Sequence, residues 1–67
     1  MVKVYTIPLD EGHRLWVSWE PANKRWVGNV QSYKSGAFIF TTIEAPTKET
    51  CIALTAMKYG QYTEGAI

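Results

Sequence analysis

The chain has 67 residues, and its seven Lys and Arg side chains nearly balance six Asp and Glu, for a net charge of +1. That balance gives no basic footprint for nucleic acid. A single cysteine excludes an internal disulfide, and with one histidine it excludes the usual four-ligand zinc site. The length predicts one small domain, residues 1–67. Neither a signal peptide nor a membrane-spanning segment is apparent, so we expect a cytoplasmic protein.

Four strands are predicted before the chain changes character. Residues 2–7 are rich in β-branched and aromatic side chains and end before a proline. A turn leads to a strand over 13–20, and the sequence PANK predicts a second turn before a strand over 24–32. The segment YKSGA is typical of a hairpin loop in which Gly36 adopts a positive φ, and it leads to a fourth strand over 37–44.

The segment after the strands predicts one helix. Its sequence APTKETCIALTAMKYG contains good helix formers, with Thr47 placed as the N-cap and Gly60 placed to end the helix. Residues 61–67 carry no strong signal and are expected to form a flexible tail. The order β-β-β-β-α predicts an α+β fold, a four-stranded antiparallel meander with one C-terminal helix packed on one face.

The helix is predicted to contact the sheet through an apolar stripe. On a helical wheel this stripe comprises Ile52, Ala53, Ala56 and Met57, and Cys51 lies on the opposite, polar side. No histidine or acidic side chain is placed to activate the Cys51 thiol, so we expect it to be inert.

The central hairpin has a register that separates apolar from polar side chains. A four-residue turn places Glu20 opposite Arg25 and Trp19 opposite Trp26. The tryptophan pair then lies on the face that the helix covers, and the charged pair lies on the other face. Further along the strand, Gly28 leaves a gap that a neighbouring phenylalanine or the helix could fill.

Trp16 points to the face of the sheet that the helix leaves uncovered. The fourth strand is expected to add two large apolar side chains to this face, either its phenylalanines or its isoleucines, depending on the length of the preceding loop. An exposed apolar patch usually marks an interaction site. The predicted binding residues are Arg14, Trp16, Arg25, Val27, Asn29 and Tyr33. The alternative is that the tail and the loops cover Trp16.

No catalytic constellation is visible in the sequence. His13 follows two acidic residues in a turn, an arrangement typical of a solvated surface. The sequence contains neither a glycine-rich phosphate loop nor a calcium loop. We therefore expect a protein that is not an enzyme and that uses no cofactor and no metal ion.

These observations favour a protein-binding module that contacts another protein through the face around Trp16. Its small size favours an inhibitor or adaptor of a host complex, encoded by a phage or mobile element. A homodimer that packs two such faces together would bury the patch and enlarge the core. The alternative is nucleic-acid binding, in which Trp16 and Tyr33 stack on bases while Arg14, Lys24 and Arg25 contact phosphates. Membrane binding is not expected.

In the order of its elements, WVSWEPANKRWVGNV followed by FIFTTIEAPTKETCIAL resembles two kinds of sheet-plus-helix domain. One comprises DNA-binding modules such as the arm-binding domains of tyrosine recombinases and related plant domains, and this likeness implies a sheet that enters the major groove. The other comprises HicB-like antitoxin domains. On the candidate face of this chain, Arg14 and Arg25 are the basic residues, and they lie beside Glu20.

Overall fold

The structure, a computed structural model, describes residues 3–65 and confirms the α+β meander. Its elements are β1 (Val4–Pro8), β2 (His13–Glu20), β3 (Arg25–Ser32), β4 (Ile43–Ala45) and α1 (Lys48–Gly65). The strands form one antiparallel sheet in the order β1-β2-β3-β4, and α1 packs over β2, β3 and β4. In the described part of the chain, no helix is both long and apolar enough to cross a membrane.

The hairpin of β2 and β3 has the predicted register. Trp19 lies opposite Trp26, and their ring centroids are 5.7 Å apart. Val17 lies opposite Gly28 in the same register. The turn between the strands ends at Lys24, whose φ of 51° lies in the left-handed region. The pairing therefore follows from the length of this turn and from the alternation of side chains along the two strands.

The charged side chains of this hairpin pair differently from the prediction. Glu20 and Arg25 occupy opposite positions, but no ion pair joins them. Arg25 Nη1 instead lies 2.9 Å from Glu44 Oε1 on β4, and Glu20 accepts a hydrogen bond from Asn23 in the turn. The predicted opposition of Glu20 and Arg25 is therefore confirmed, but the predicted charge contact between them is wrong, because Arg25 pairs with Glu44 and Glu20 with Asn23.

The fourth strand is shorter than predicted and is preceded by a bulge. Regular pairing with β3 is confined to β4, and Phe38 forms an isolated bridge with Gln31. Between these contacts, residues 39–42 face only Asn29 and Val30 of β3. The extra residues interrupt the ladder of main-chain hydrogen bonds.

Asn29 spans the bulge with its side chain. The Asn29 amide donates to the carbonyl oxygen of Phe40 at 2.6 Å and to Thr42 Oγ1 at 3.2 Å. The bulge also separates side chains that a regular strand would place together. Phe38 lies on the uncovered face, whereas Ile43 faces the helix. The expectation of two large apolar side chains from this strand on the uncovered face is therefore wrong.

The helix begins as predicted and ends later. The Thr47 hydroxyl accepts a hydrogen bond from the Thr50 N–H at 3.2 Å, which confirms Thr47 as the N-cap. The predicted end at Gly60 is wrong, because α1 continues to Gly65. Gly60 does not adopt the positive φ of a helix-ending glycine, whereas Gly36 does, with φ of 73°.

The segment predicted as a flexible tail forms the last part of α1. Tyr62 contacts Phe40, with ring centroids 6.3 Å apart, and this contact joins the end of the helix to the bulge. Residues 66–67 of the predicted tail lie outside the described residues. So does Val2, the predicted first residue of β1.

The face of α1 that contacts the sheet also differs from the prediction. Cys51 and Thr55 are fully buried against Gly28. A Cβ atom at Gly28 would lie 2.5 Å from Thr55 Oγ1 and 2.8 Å from Cys51 Sγ. Because β3 has no side chain at this point, the helix approaches closely, and only small side chains fit beneath it.

The predicted apolar stripe is consequently turned mostly towards solvent. Ile52 is half-buried and packs against the core of Leu15, Val17, Ala45 and Cys51. The other members of the stripe are exposed, namely Ala53, Ala56 and Met57. The placement of Cys51 on the polar side of the helix is therefore wrong.

Candidate interaction surface

The sheet face that α1 leaves uncovered, here called the outer face, carries an aromatic pair. Trp16 on β2 contacts Phe38, with ring centroids 5.0 Å apart. Val27 on β3 and Val4 on β1 lie on the same face. Trp16 and Val27 are half-buried, whereas Phe38 and Val4 are 43% and 50% exposed. Together these side chains form an apolar centre that water contacts.

A positioned arginine borders this centre at one end. Arg14 Nε donates to Gln31 Oε1 at 2.8 Å, and the Arg14 guanidinium carbon lies 5.8 Å from the centre of the Tyr33 ring. Gln31 in turn donates to the carbonyl oxygen of Gly36 at 2.9 Å. These contacts fix Arg14, and among residues 3–65 its terminal nitrogens have no hydrogen-bond partner and can bind a ligand. Arginine held in this way loses less conformational entropy when it binds.

An ion pair lies at the opposite end of the outer face. Arg25 and Glu44 lie 2.9 Å apart, and about half of each side chain is exposed. An exposed pair of this kind adds about 0–1 kcal/mol to stability. Its larger effect is to neutralise both charges at this end, which leaves Arg14 as the more available cation.

All but one of the predicted binding residues lie on or beside the outer face and are accessible there. Arg14, Trp16, Arg25 and Val27 lie on the outer face, and Tyr33 lies beside Arg14. Asn29 occupies an outer-face position in the register but is fully buried, because the bulge covers it.

Asn29 therefore holds the bulge that precedes β4 and offers no surface to a partner. Sequence reasoning missed Phe38 and Gln31. The fourth-strand pattern indicated that large apolar side chains reach the outer face, but it left open which ones.

A second polar cluster lies on the helix side of the sheet, at the end of β2 where Arg14 lies. His13 Nδ1 lies 3.1 Å from Asp10 Oδ1, and the Tyr59 hydroxyl donates to Asp10 Oδ2. Asp10 also accepts the N–H of Gly12 at 2.8 Å. This cluster joins the turn between β1 and β2 to α1. Within residues 3–65, no group of three or more His, Cys, Asp or Glu side chains is arranged to hold a metal ion.

The hydrogen bonds of this cluster change its titration. The Tyr59 hydroxyl and then the Gly12 N–H lower the pKa of Asp10 to about 2, because both stabilise the carboxylate. The same bond to Asp10 raises the pKa of Tyr59 to about 12, since ionised Tyr59 could no longer donate. At neutral pH the cluster therefore holds the turn between β1 and β2 against the helix by hydrogen bonds to the Asp10 carboxylate, a link here called the Asp10–Tyr59 latch.

The Cys51 thiol is inaccessible to reagents in solution. The Cys51 side chain is fully buried between α1 and β3, and this burial raises the pKa of its thiol. A raised pKa suppresses the thiolate, which is the reactive form. The geometry is that of a small core residue.

The fold and the outer face together define a small sheet-plus-helix domain with one helix-covered face and one exposed aromatic face. Comparison of the chain with protein-family models, with curated proteins and with solved structures found no match. Any function must therefore be inferred from the side chains of the outer face.

Proposed function

We propose that this chain is a non-catalytic protein-binding module that contacts another protein through its outer face. The observation that carries the proposal is the position of Trp16, packed on Phe38 and bordered by Arg14. Tryptophan, tyrosine and arginine are the residues enriched at the energetic centres of protein interfaces. Here all three types occur on or beside one exposed apolar patch.

The arrangement has the layout of an interface centre with a polar rim. The half-buried Trp16 and the exposed Phe38 supply apolar area. Arg14 and the Arg25–Glu44 pair lie around them and supply hydrogen-bonding groups. Aromatic anchors that are already packed against a neighbour lose little freedom on binding, so more of the buried area contributes to affinity.

Nucleic-acid binding receives less support from the same residues. Arg25 is neutralised by Glu44, so of the two outer-face arginines only Arg14 is available to a phosphate. Backbone phosphates are bound by several free cations at once, and that binding weakens steeply with salt. A gel shift at low salt, with single- and double-stranded oligonucleotides, separates this alternative from protein binding.

The experiment combines crosslinking with substitution. A photo-crosslinking amino acid at Phe38 is exposed to an extract of the source cells, and the same group at Met57, 61% exposed on the outer side of α1, serves as the control position. We expect a specific protein crosslink from position 38 and none from position 57. The captured protein is then purified and titrated by calorimetry with the wild-type chain.

Trp16→Ala should weaken that interaction by about 2 kcal/mol or more, roughly 30-fold in Kd. Met57→Ala should leave the affinity unchanged. Circular dichroism must show that Trp16→Ala remains folded, and Phe38→Ala provides a second outer-face variant. Equal affinity of wild type and both outer-face variants would contradict the proposal. The phage or mobile-element setting and the face-to-face homodimer stay predictions.

A further inference from the structure

β1 is an edge strand that neither the sheet nor the helix covers on its free side. Within residues 3–65 it pairs with β2 alone; α1 lies over the other three strands and reaches β1 through Lys48, whose Nζ lies 4.3 Å from the centre of the Tyr5 ring. Val4 and Ile7, which point to opposite faces of the sheet, are 50% and 41% exposed. Proteins usually protect such an edge with charged side chains, a bulge or a covering element, because its free main-chain groups bind other strands.

The two edges of this sheet differ in that protection. β4 is three residues long, follows a bulge, and carries Glu44 in an ion pair with Arg25. β1 is five residues long, VYTIP, and contains no charged side chain. Its one protective residue is Pro8, which stands at its end. The open edge is therefore β1.

One hydrogen bond shows which main-chain groups of β1 point towards the free edge. The Leu9 N–H donates to the carbonyl oxygen of His13 at 3.1 Å, which continues the register between β1 and β2. Because hydrogen-bonding direction alternates along a strand, Tyr5 and Ile7 also bond towards β2. The N–H and C=O of Val4 and Thr6, and the C=O of Pro8, are left on the free side.

We infer that β1 pairs antiparallel with β1 of a second copy of this chain, about a two-fold axis at Thr6. In this register the Thr6 main chains exchange their hydrogen bonds, and each Val4 N–H donates to the Pro8 carbonyl of the other copy. Only the missing N–H of Pro8 leaves an acceptor unused, and it falls at the end of the overlap. The free N–H groups of Val4 and Thr6 in both copies are then all paired.

The side chains of β1 are complementary to themselves in the same register. On the helix side, Tyr5 of each copy lies opposite Ile7 of the other, an aromatic and β-branched pair of the kind that stabilises sheets. On the outer face, Thr6 lies opposite Thr6 and Val4 lies opposite Pro8. β1 itself brings no charged side chain to this pairing. This complementarity selects a second copy rather than an unrelated strand, and it is independent of the proposed function of the outer face.

The test uses opposite charges at the two-fold axis. Sedimentation equilibrium of the wild-type chain should show a concentration-dependent dimer by about 100 µM, where weak complexes are populated. Thr6→Lys and Thr6→Glu should each weaken the dimer roughly fivefold or more, because like charges then lie directly opposite. An equimolar mixture of the two variants should restore it. Thr41→Lys is the matched control, because Thr41 is exposed just before β4, at the edge of the sheet opposite β1. It should not change the monomer–dimer equilibrium.

Amide hydrogen exchange distinguishes this dimer from a face-to-face one. The Val4 and Thr6 amides should become protected as the concentration rises, and Trp16→Ala should retain both the dimer and this protection. A chain that stays monomeric at about 100 µM would overturn the inference. So would a dimer whose Val4 and Thr6 amides exchange freely, or a mixture of the two charged variants that does not associate.

Discussion

Gly28 determines how closely α1 approaches the sheet, so its replacement tests the packing directly. A Cβ atom there would lie 2.5 Å from Thr55 Oγ1 and 2.8 Å from Cys51 Sγ, whereas ordinary contacts begin at 3.4 Å. Gly28→Ala must therefore move Thr55 away by about 0.9 Å. A gap of about 0.5–1 Å forfeits a quarter to a half of the contact energy of each atom that loses its neighbour.

We expect Gly28→Ala to lower the free energy of unfolding by about 1–3 kcal/mol, the range found for overpacked cores. The greater strand preference of alanine offsets only about 0.5–1 kcal/mol of that loss. A domain of this size has a net stability of about 3–5 kcal/mol, and each kcal/mol corresponds to about 4–8 °C in Tm. Urea unfolding and thermal denaturation, both followed by circular dichroism, measure the change.

The chain provides a matched control at another glycine. A Cβ atom at Gly60 would meet nothing within 4 Å, so Gly60→Ala should raise the stability by up to about 1 kcal/mol through helix propensity alone. Adding Thr55→Ala to Gly28→Ala should recover part of the loss, because it removes the closest clashing atom. If Gly28→Ala were as stable as the wild type, the close approach of α1 would be refuted.

Two further predictions concern the latch and the buried thiol. The pKa of Asp10 falls from 3.8 to about 2 on folding, so its contribution is present above pH 3.8 and is lost as the pH falls towards 2. The pKa of Tyr59 rises from 10.0 to about 12, so its contribution is present below pH 10 and is lost as the pH rises towards 12. Tyr59→Phe should therefore remove the alkaline loss and reduce the acid loss in a plot of Tm against pH, while Tyr33→Phe, whose ring contacts Arg14, should change neither. A disulfide reagent should label Cys51 only through unfolding, faster in urea; rapid labelling in native buffer would place the thiol at the surface.

The central hairpin could be predicted residue by residue because its determinants are local. The turn length fixes which residues of β2 and β3 lie opposite each other, and the alternation of apolar residues selects one register. The pairing of Trp19 with Trp26 and the outward direction of Trp16 both follow from these two facts. That is why the centre of the candidate surface was predictable from the sequence.

The errors arise where contacts between distant segments decide the structure. The wheel of α1 offers a larger apolar side and a side with Cys51 and Thr55, and local amphipathicity favours the former. The close approach at Gly28 selects the latter, because large side chains would not fit there. Likewise, the bulge that places Phe38 on the outer face depends on Asn29, whose amide replaces the missing ladder bonds to the segment opposite.

The edge pairing and the outer face would reinforce each other. Pairing about an axis through Thr6 places both helices on one side of a continuous sheet and both outer faces on the other. Trp16 on β2 lies opposite Thr6 on β1. Across the dimer the strands therefore follow the order β2, β1, β1, β2, with a Trp16 on each of the two outer ones. Three inter-strand spacings then separate the two Trp16 side chains, about 14 Å. A partner with a two-fold or repeated surface would engage both faces at once, and the second contact would form at the high effective concentration of a linked site. An apolar centre too small to bind tightly in one copy could thereby bind tightly in two.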